Sequence, residues 1–220
     1  MTDRTVVKWN VVRHQVAIAG LVTDGEAGKP LAGAEVGITE KPPAFERSLR
    51  GLSLRYGSRW NKMVERADKT LSRADGLFYF LDLPNGKYTL GASLPSSGRY
   101  GTAQEAATVS RDAKGTIKMA SVNFSLRPTT IKGKITGPAH KNGVVMAEVR
   151  LKGSGERAFS DGDGHYVLAG VEPGKRTLLV FAQGYRQPDP RNPKAAPEAQ
   201  KIVTLEKPGA VESADFALVR

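Results

Sequence analysis

Ala74-Asp75-Gly76-Leu77-Phe78-Tyr79-Phe80 and Gly162-Asp163-Gly164-His165-Tyr166-Val167-Leu168 read as one unit written twice, an Asp-Gly turn feeding an aromatic-bearing strand. Asp-Gly suits a tight hairpin because glycine reaches positive φ without steric cost. The next stretch of chain repeats as well. Leu83-Pro84-Asn85-Gly86-Lys87-Tyr88-Thr89-Leu90 is answered by Val171-Glu172-Pro173-Gly174-Lys175-Arg176-Thr177-Leu178, a proline-led turn and another strand. Upstream, Ile18-Ala19-Gly20-Leu21-Val22-Thr23 is echoed by Ile131-Lys132-Gly133-Lys134-Ile135-Thr136, and Ala34-Glu35-Val36-Gly37-Ile38 by Ala147-Glu148-Val149-Arg150-Leu151. Apolar residues alternate in each, the pattern of a strand with one face on a core and one in water. Val122-Asn123-Phe124-Ser125-Leu126 and Ala214-Asp215-Phe216-Ala217-Leu218 close the two units.

This order of short strands separated by Gly, Pro, Asn and Asp predicts an all-β chain of two tandem β-sandwiches. Arg127-Pro128-Thr129-Thr130 is the expected boundary, since proline cannot donate to a sheet ladder, and it gives modules at residues 1–127 and 128–220. The length of 220 residues suits two small domains. Apolar residues at 40% and charged residues at 25% are ordinary for a folded globular chain. With no cysteine, disulfides, thiol nucleophiles and thiolate metal sites are excluded. The apolar run Val16–Val22 is too short to cross a bilayer and reads as a strand, with no transmembrane segment and no signal peptide visible, so a cytoplasmic location is expected.

The segments Pro30-Leu31-Ala32-Gly33-Ala34-Glu35-Val36, Asp75-Gly76-Leu77-Phe78-Tyr79-Phe80 and Leu83-Pro84-Asn85-Gly86-Lys87-Tyr88-Thr89-Leu90 resemble the carboxypeptidase regulatory-like (transthyretin/prealbumin-like) domain family. The second module departs at Asn142-Gly143-Val144-Val145-Met146-Ala147, but keeps Asp163-Gly164 and Pro173-Gly174-Lys175, and Gly184-Tyr185 looks like the family's closing pair. The resemblance implies a seven-stranded prealbumin-like (Ig-like) sandwich, used as a stabilising appendage, a surface-binding module or a building block. Fold does not fix function.

Catalytic chemistry is largely missing. A zinc carboxypeptidase needs a His-x-x-Glu pair, yet three residues beyond His14, His140 and His165 stand Ala17, Gly143 and Leu168. Purine-hydrolysing transthyretin relatives end in Tyr-Arg-Gly-Ser, whereas this sequence ends Phe216-Ala217-Leu218-Val219-Arg220. No Gly-x-Ser-x-Gly elbow or phosphate loop is present. Ser160-Asp161-Gly162-Asp163-Gly164-His165 has carboxylates at alternate positions, like the start of a calcium loop, but the further ligands are lacking and a hairpin turn is the stronger reading. The expectation is a non-enzymatic protein with no catalytic residue, metal or cofactor.

The unusual chemistry of the chain is concentrated in an insertion. Ile18 to Asp75 spans 57 residues and the corresponding Ile131 to Asp163 only 32, which places extra chain within 41–73. That segment holds nine basic and three acidic residues, a net +6 of the chain's +11. Phe45, Leu49, Leu52, Tyr56, Trp60 and Met63 fall at helical spacing along one face, although Gly51 and Gly57 weaken a helix, so a broken helix or an ordered loop is equally open. Packing of this stripe on its own sandwich competes with anchoring of a partner. The candidate partner-binding residues are Phe45, Arg47, Arg50, Arg55, Tyr56, Arg59, Trp60 and Lys62, joined by Trp9 in the amino-terminal segment; the proline-rich stretch from Tyr185 to Pro197 is a second candidate arm. A pI near 9.9 favours partners with acidic surfaces, with nucleic acid unfavoured. The leading expectation is a component of a larger protein assembly, such as a phage-tail-like or contractile particle; the alternatives are a surface or periplasmic adhesion module for carbohydrate or another anionic polymer, and an accessory domain of a separate peptidase.

Overall fold

The computed structural model describes residues 13–138, 142–192 and 194–220. Among the described residues the architecture is all-β, with one α-helix of 14 residues. Two sheets face each other in the first half of the chain. One is ordered β4 (Leu77–Leu81), β1 (Val16–Asp24), β8 (Ala120–Ser121), with β9 (Phe124–Leu126) also on β1. The other is ordered β3 (Lys69–Leu71), β2 (Glu35–Glu40), β5 (Gly86–Ser93), β6 (Ala103–Arg111), β7 (Ile117–Lys118).

The second half repeats the plan. β13 (His165–Ala169), β10 (Thr130–Thr136) and β16 (Val211–Ser213) form one sheet, with β17 (Phe216–Ala217) on β10. β12 (Arg157–Phe159), β11 (Glu148–Leu151), β14 (Gly174–Phe181) and β15 (Gln200–Leu205) form the facing one. The buried apolar residues separate accordingly into one cluster from Ala17 to Leu126 and another from Ile131 to Leu218.

In both halves the alternation read from sequence lands as expected. Phe78 and Phe80 point into the core while Leu77, Tyr79 and Leu81 point out, and Tyr166 and Leu168 repeat the pattern on β13. Each opening strand pairs antiparallel with the Asp-Gly strand on one side and parallel with the closing strand on the other. The closing strand breaks as it crosses, at Val122-Asn123 and at Ala214-Asp215. There the Asn123 side-chain oxygen accepts the Leu21 N–H (3.0 Å) and the Asp215 carboxylate accepts the Lys134 N–H (2.8 Å), replacing the ladder bond lost at the break.

The crossing is so close that only glycine fits beneath it. A Cβ on Gly20 would lie 1.5 Å from the Val122 carbonyl oxygen, and one on Gly133 2.1 Å from that of Ala214. A second matched device is a buried serine. Ser72 Oγ donates to Leu31 C=O (2.6 Å) and accepts the Ala34 N–H (2.9 Å), and Ser160 does the same with Val144 and Ala147 at the same two distances. Each serine ties the Asp-Gly turn to the start of the second strand.

The halves meet at a junction. Thr129, fully buried, donates its N–H to Arg99 C=O (2.7 Å), accepts the Val171 N–H (3.0 Å) on its carbonyl and accepts the Gly209 N–H (2.8 Å) on its hydroxyl. Arg99, from the first half, reaches Glu156 (2.9 Å) and Glu172 (3.5 Å) in the second.

Glycine substitutions should therefore split by site. Gly20→Ala and Gly133→Ala are each expected to lower unfolding stability by about 2–3 kcal/mol through overpacking. Gly51→Ala, in a helix with nothing within 4 Å, should raise it by roughly 0.5–1 kcal/mol. Urea denaturation of the three variants checks both signs.

Candidate functional site

The insertion folds as α1 (Pro43–Tyr56) followed by a 3-10 turn, Gly57–Lys62. Pro43 sits in the first turn, where its missing N–H costs nothing, Glu46 faces the positive helix start and Arg55 the negative end. Gly57 stops the helix at φ 56°, with its N–H on Ser53 C=O. The predicted stripe is thus a helix broken at Gly57, one of the forms left open by the sequence. One boundary changes: residues 69–71 of the expected 41–73 insertion are β3, the counterpart of β12, because its residues complete the pairing of β2.

Of the stripe, Phe45 and Leu49 are buried in the first core. The Phe45 ring meets Tyr88 edge-on at 5.9 Å, and the Tyr88 hydroxyl donates to Pro84 C=O (2.7 Å). Pro42 lies against Gly86, where a Cβ would fall 2.8 Å from the proline ring. These contacts clamp the helix start onto the β4–β5 turn. Trp60 packs on the core margin, with the Tyr56 ring near parallel at 6.2 Å and the Arg66 guanidinium 5.0 Å from its ring, and Arg66 is itself held by Asp68 (3.0 Å). Leu52 and Met63 are half-buried. Most of the apolar stripe is therefore spent on its own sandwich, and Tyr56, 42% exposed, is the part of it that faces outward.

The opposite side is basic. Arg47, Arg50, Arg55, Arg59 and Lys62 are all exposed, and among the described residues none of them forms an ion pair with an acidic side chain. Other cations of the segment are engaged: Lys69 pairs with Glu35, and Arg73 lies over the Tyr79 ring (4.8 Å) with a bond to its hydroxyl (2.7 Å). Leu54, which the sequence did not single out, is 79% exposed and stands four residues after Arg50 and seven after Arg47, on the same helix face. Its signal was available: it stands off the predicted apolar stripe. Trp9 and His140 lie outside the described residues.

The other motifs settle into structural contacts. Asp161 Oδ1 accepts the N–H groups of His165 (2.8 Å) and Asp163 (3.0 Å), and these amides, His165 first, hold its carboxyl below the usual range. No group of three metal-ligating side chains occurs among the described residues. His14 bonds to Asp82, and His165 stands 3.9 Å from Asp161. Tyr185 of the proline-rich stretch is buried against Gly137. No helix is long and apolar enough to cross a membrane among the described residues.

The fold and this surface define a tandem β-sandwich protein carrying a clamped basic helix. Residues 130–219 match the family model of the carboxypeptidase regulatory-like domain. The matched residues are those of the second module, whose motifs, read from the sequence, depart further from the family's pattern than those of the first. No curated protein sequence matches the chain. Among solved structures, the shaft pilin SpaA from Lactobacillus rhamnosus GG is 15% identical with a TM-score of 0.40, over 94% of this chain and 97% of that one. A streptococcal ancillary pilin is 13% identical with a TM-score of 0.38, over 99% and 68%. The Bacillus anthracis TIE protein is 13% identical with a TM-score of 0.39 over 94% of this chain, which spans 34% of its length. These superpositions are loose.

Burial pushes the Tyr88 hydroxyl up to about 12, from an ordinary value near 10 in the unfolded chain. Stability that depends on a neutral Tyr88 is complete below about pH 10 and falls as pH rises toward 12. Tyr88→Phe should remove one late-ionising phenol from the absorbance titration and lessen the alkaline loss of stability.

Proposed function

We propose that this chain is a non-enzymatic structural and binding protein, built of modules 1–127 and 128–220, which takes its place in a larger protein assembly by docking α1 and the 3-10 turn onto an acidic protein face. The observation that carries this is the set of five exposed cations, Arg47, Arg50, Arg55, Arg59 and Lys62, none with an ion-pair partner among the described residues, on a helix held in position by the buried Phe45 and Leu49. A pre-ordered basic patch steers and orients an acidic partner without first losing helix-forming entropy.

Three alternatives fit less well. Leu54 stands among the cations, and an exposed leucine gains little against phosphates but gains by burial in a protein interface. Two copies meeting through this face would set like charges together, which opposes self-association. A carbohydrate platform needs open aromatic faces, and Trp60 is already engaged by Tyr56 and Arg66 and partly buried on the core margin. A phage-tail-like or contractile particle is the first assembly to test.

The experiment is size fractionation of gently lysed native cells, with mass spectrometry of co-migrating proteins, for the wild type and for Arg50→Glu/Arg55→Glu/Arg59→Glu. The expected result is a wild type in a large particle and a variant released as a 23.6 kDa species with thermal stability changed by less than about 0.5 kcal/mol. A wild type found only as the free chain would overturn the assembly reading, and a variant retained in the particle would overturn the docking face.

A further inference from the structure

The first sandwich is open along one edge. β4 is the outermost strand of its sheet and β3 of the facing sheet, and a groove of about 610 Å³ runs between them. Phe45 and Ser48 of α1 and Pro84 lie along it, and Glu65, Arg66 and Ala67 form a wall beside β3. In the second module the matching strands β12 and β13 carry no such wall, since Leu151 and Arg157 are joined by a short turn.

Both walls present unpaired main chain. On β1, Ala19 faces Tyr79 across the ladder but turns its carbonyl the other way, to the Val122 N–H (2.9 Å). Antiparallel pairs alternate in direction, so the N–H and C=O of Tyr79 point away from β1 into the groove. On the other wall Ser72 N–H bonds to Ala34 C=O (2.8 Å) and Asp68 C=O accepts the Ile38 N–H (2.9 Å), which leaves Leu71 directed outward. Neither Tyr79 nor Leu71 has a main-chain partner on that side among the described residues. Such edges are normally covered or blunted. Here Leu77, Tyr79 and Leu81 add a strip of exposed apolar side chains at alternate positions. At the rim, Arg66 and Lys69 have acidic partners, whereas Arg73, beside Tyr79, has none among the described residues.

We propose that this groove binds an extended segment of a partner protein, which pairs as a strand with β4 from Tyr79 onward, the Leu77 C=O being already taken by the Arg73 N–H (2.9 Å). Unpaired main-chain donors and acceptors select a strand over a helix or a small molecule. Alternate apolar side chains of the segment would lie along Leu77, Tyr79 and Leu81, and an acidic side chain would reach Arg73. The site is separate from the outward face of α1 and does not depend on the docking reading above.

The test pans the full chain against a displayed library of linear peptides, then maps the best synthetic peptide on the protein by amide chemical shifts. Expected are peptides alternating apolar residues with at least one acid, shifts centred on the amides of Tyr79 and Leu71, at least tenfold weaker binding when a pairing amide of the peptide is N-methylated, and a similar loss for Arg73→Glu with an unchanged thermal midpoint. Failure to enrich any peptide, shifts confined to α1 or β13, or indifference to N-methylation would each overturn it. Arg50→Glu serves as the control: it should leave peptide binding intact while weakening any partner that uses the α1 face.

Discussion

Everything in each module hangs on the close crossing of its last strand over its first. Main chain passes so near at Gly20 and at Gly133 that no side chain fits, and an asparagine or an aspartate restores the ladder bond that the crossing interrupts. The central strand can then have neighbours on both edges and bury Ile18 and Val22, or Ile131 and Ile135, beneath the facing sheet. The buried serines complete the frame by fixing the Asp-Gly turn to the opposite layer.

On that frame the insertion is an addition with its own anchoring. A helix of 14 residues carrying several like charges is marginal in isolation, and the burial of Phe45 and Leu49 is what holds it. The helix therefore divides its labour by face: apolar residues secure it to the sandwich, and the cations remain available.

The fold was legible because its constraints are local and repeated. Asp75-Gly76 and Asp163-Gly164 announce turns, alternation marks β1, β2, β4 and their counterparts, and the repeat gives each reading a second instance. The insertion's charge and spacing were equally plain, and the helix keeps to the predicted face as far as Gly57. What escaped depends on contacts between residues far apart in sequence. Ser72 and Ser160 look like surface serines until their partners, 41 and 16 residues away, are in place. Arg99 gives no hint of Glu156 and Glu172, and Tyr100 none of the Asp24 carboxylate that it binds at 2.6 Å. An open sheet edge is invisible to periodicity, since β4 reads identically whether its outer side is paired or free.

The parallel pairing of first and last strands also has a mechanical side. Tension applied through the two ends of a module would draw β1 and β9, or β10 and β17, past one another along their length, since each pair runs in the same direction. Their hydrogen bonds then bear load together in shear and do not open one at a time like a zip. In the second module β10 enters directly from the buried Thr129 junction, so the pull is handed from one shear-loaded pair to the next with little slack between.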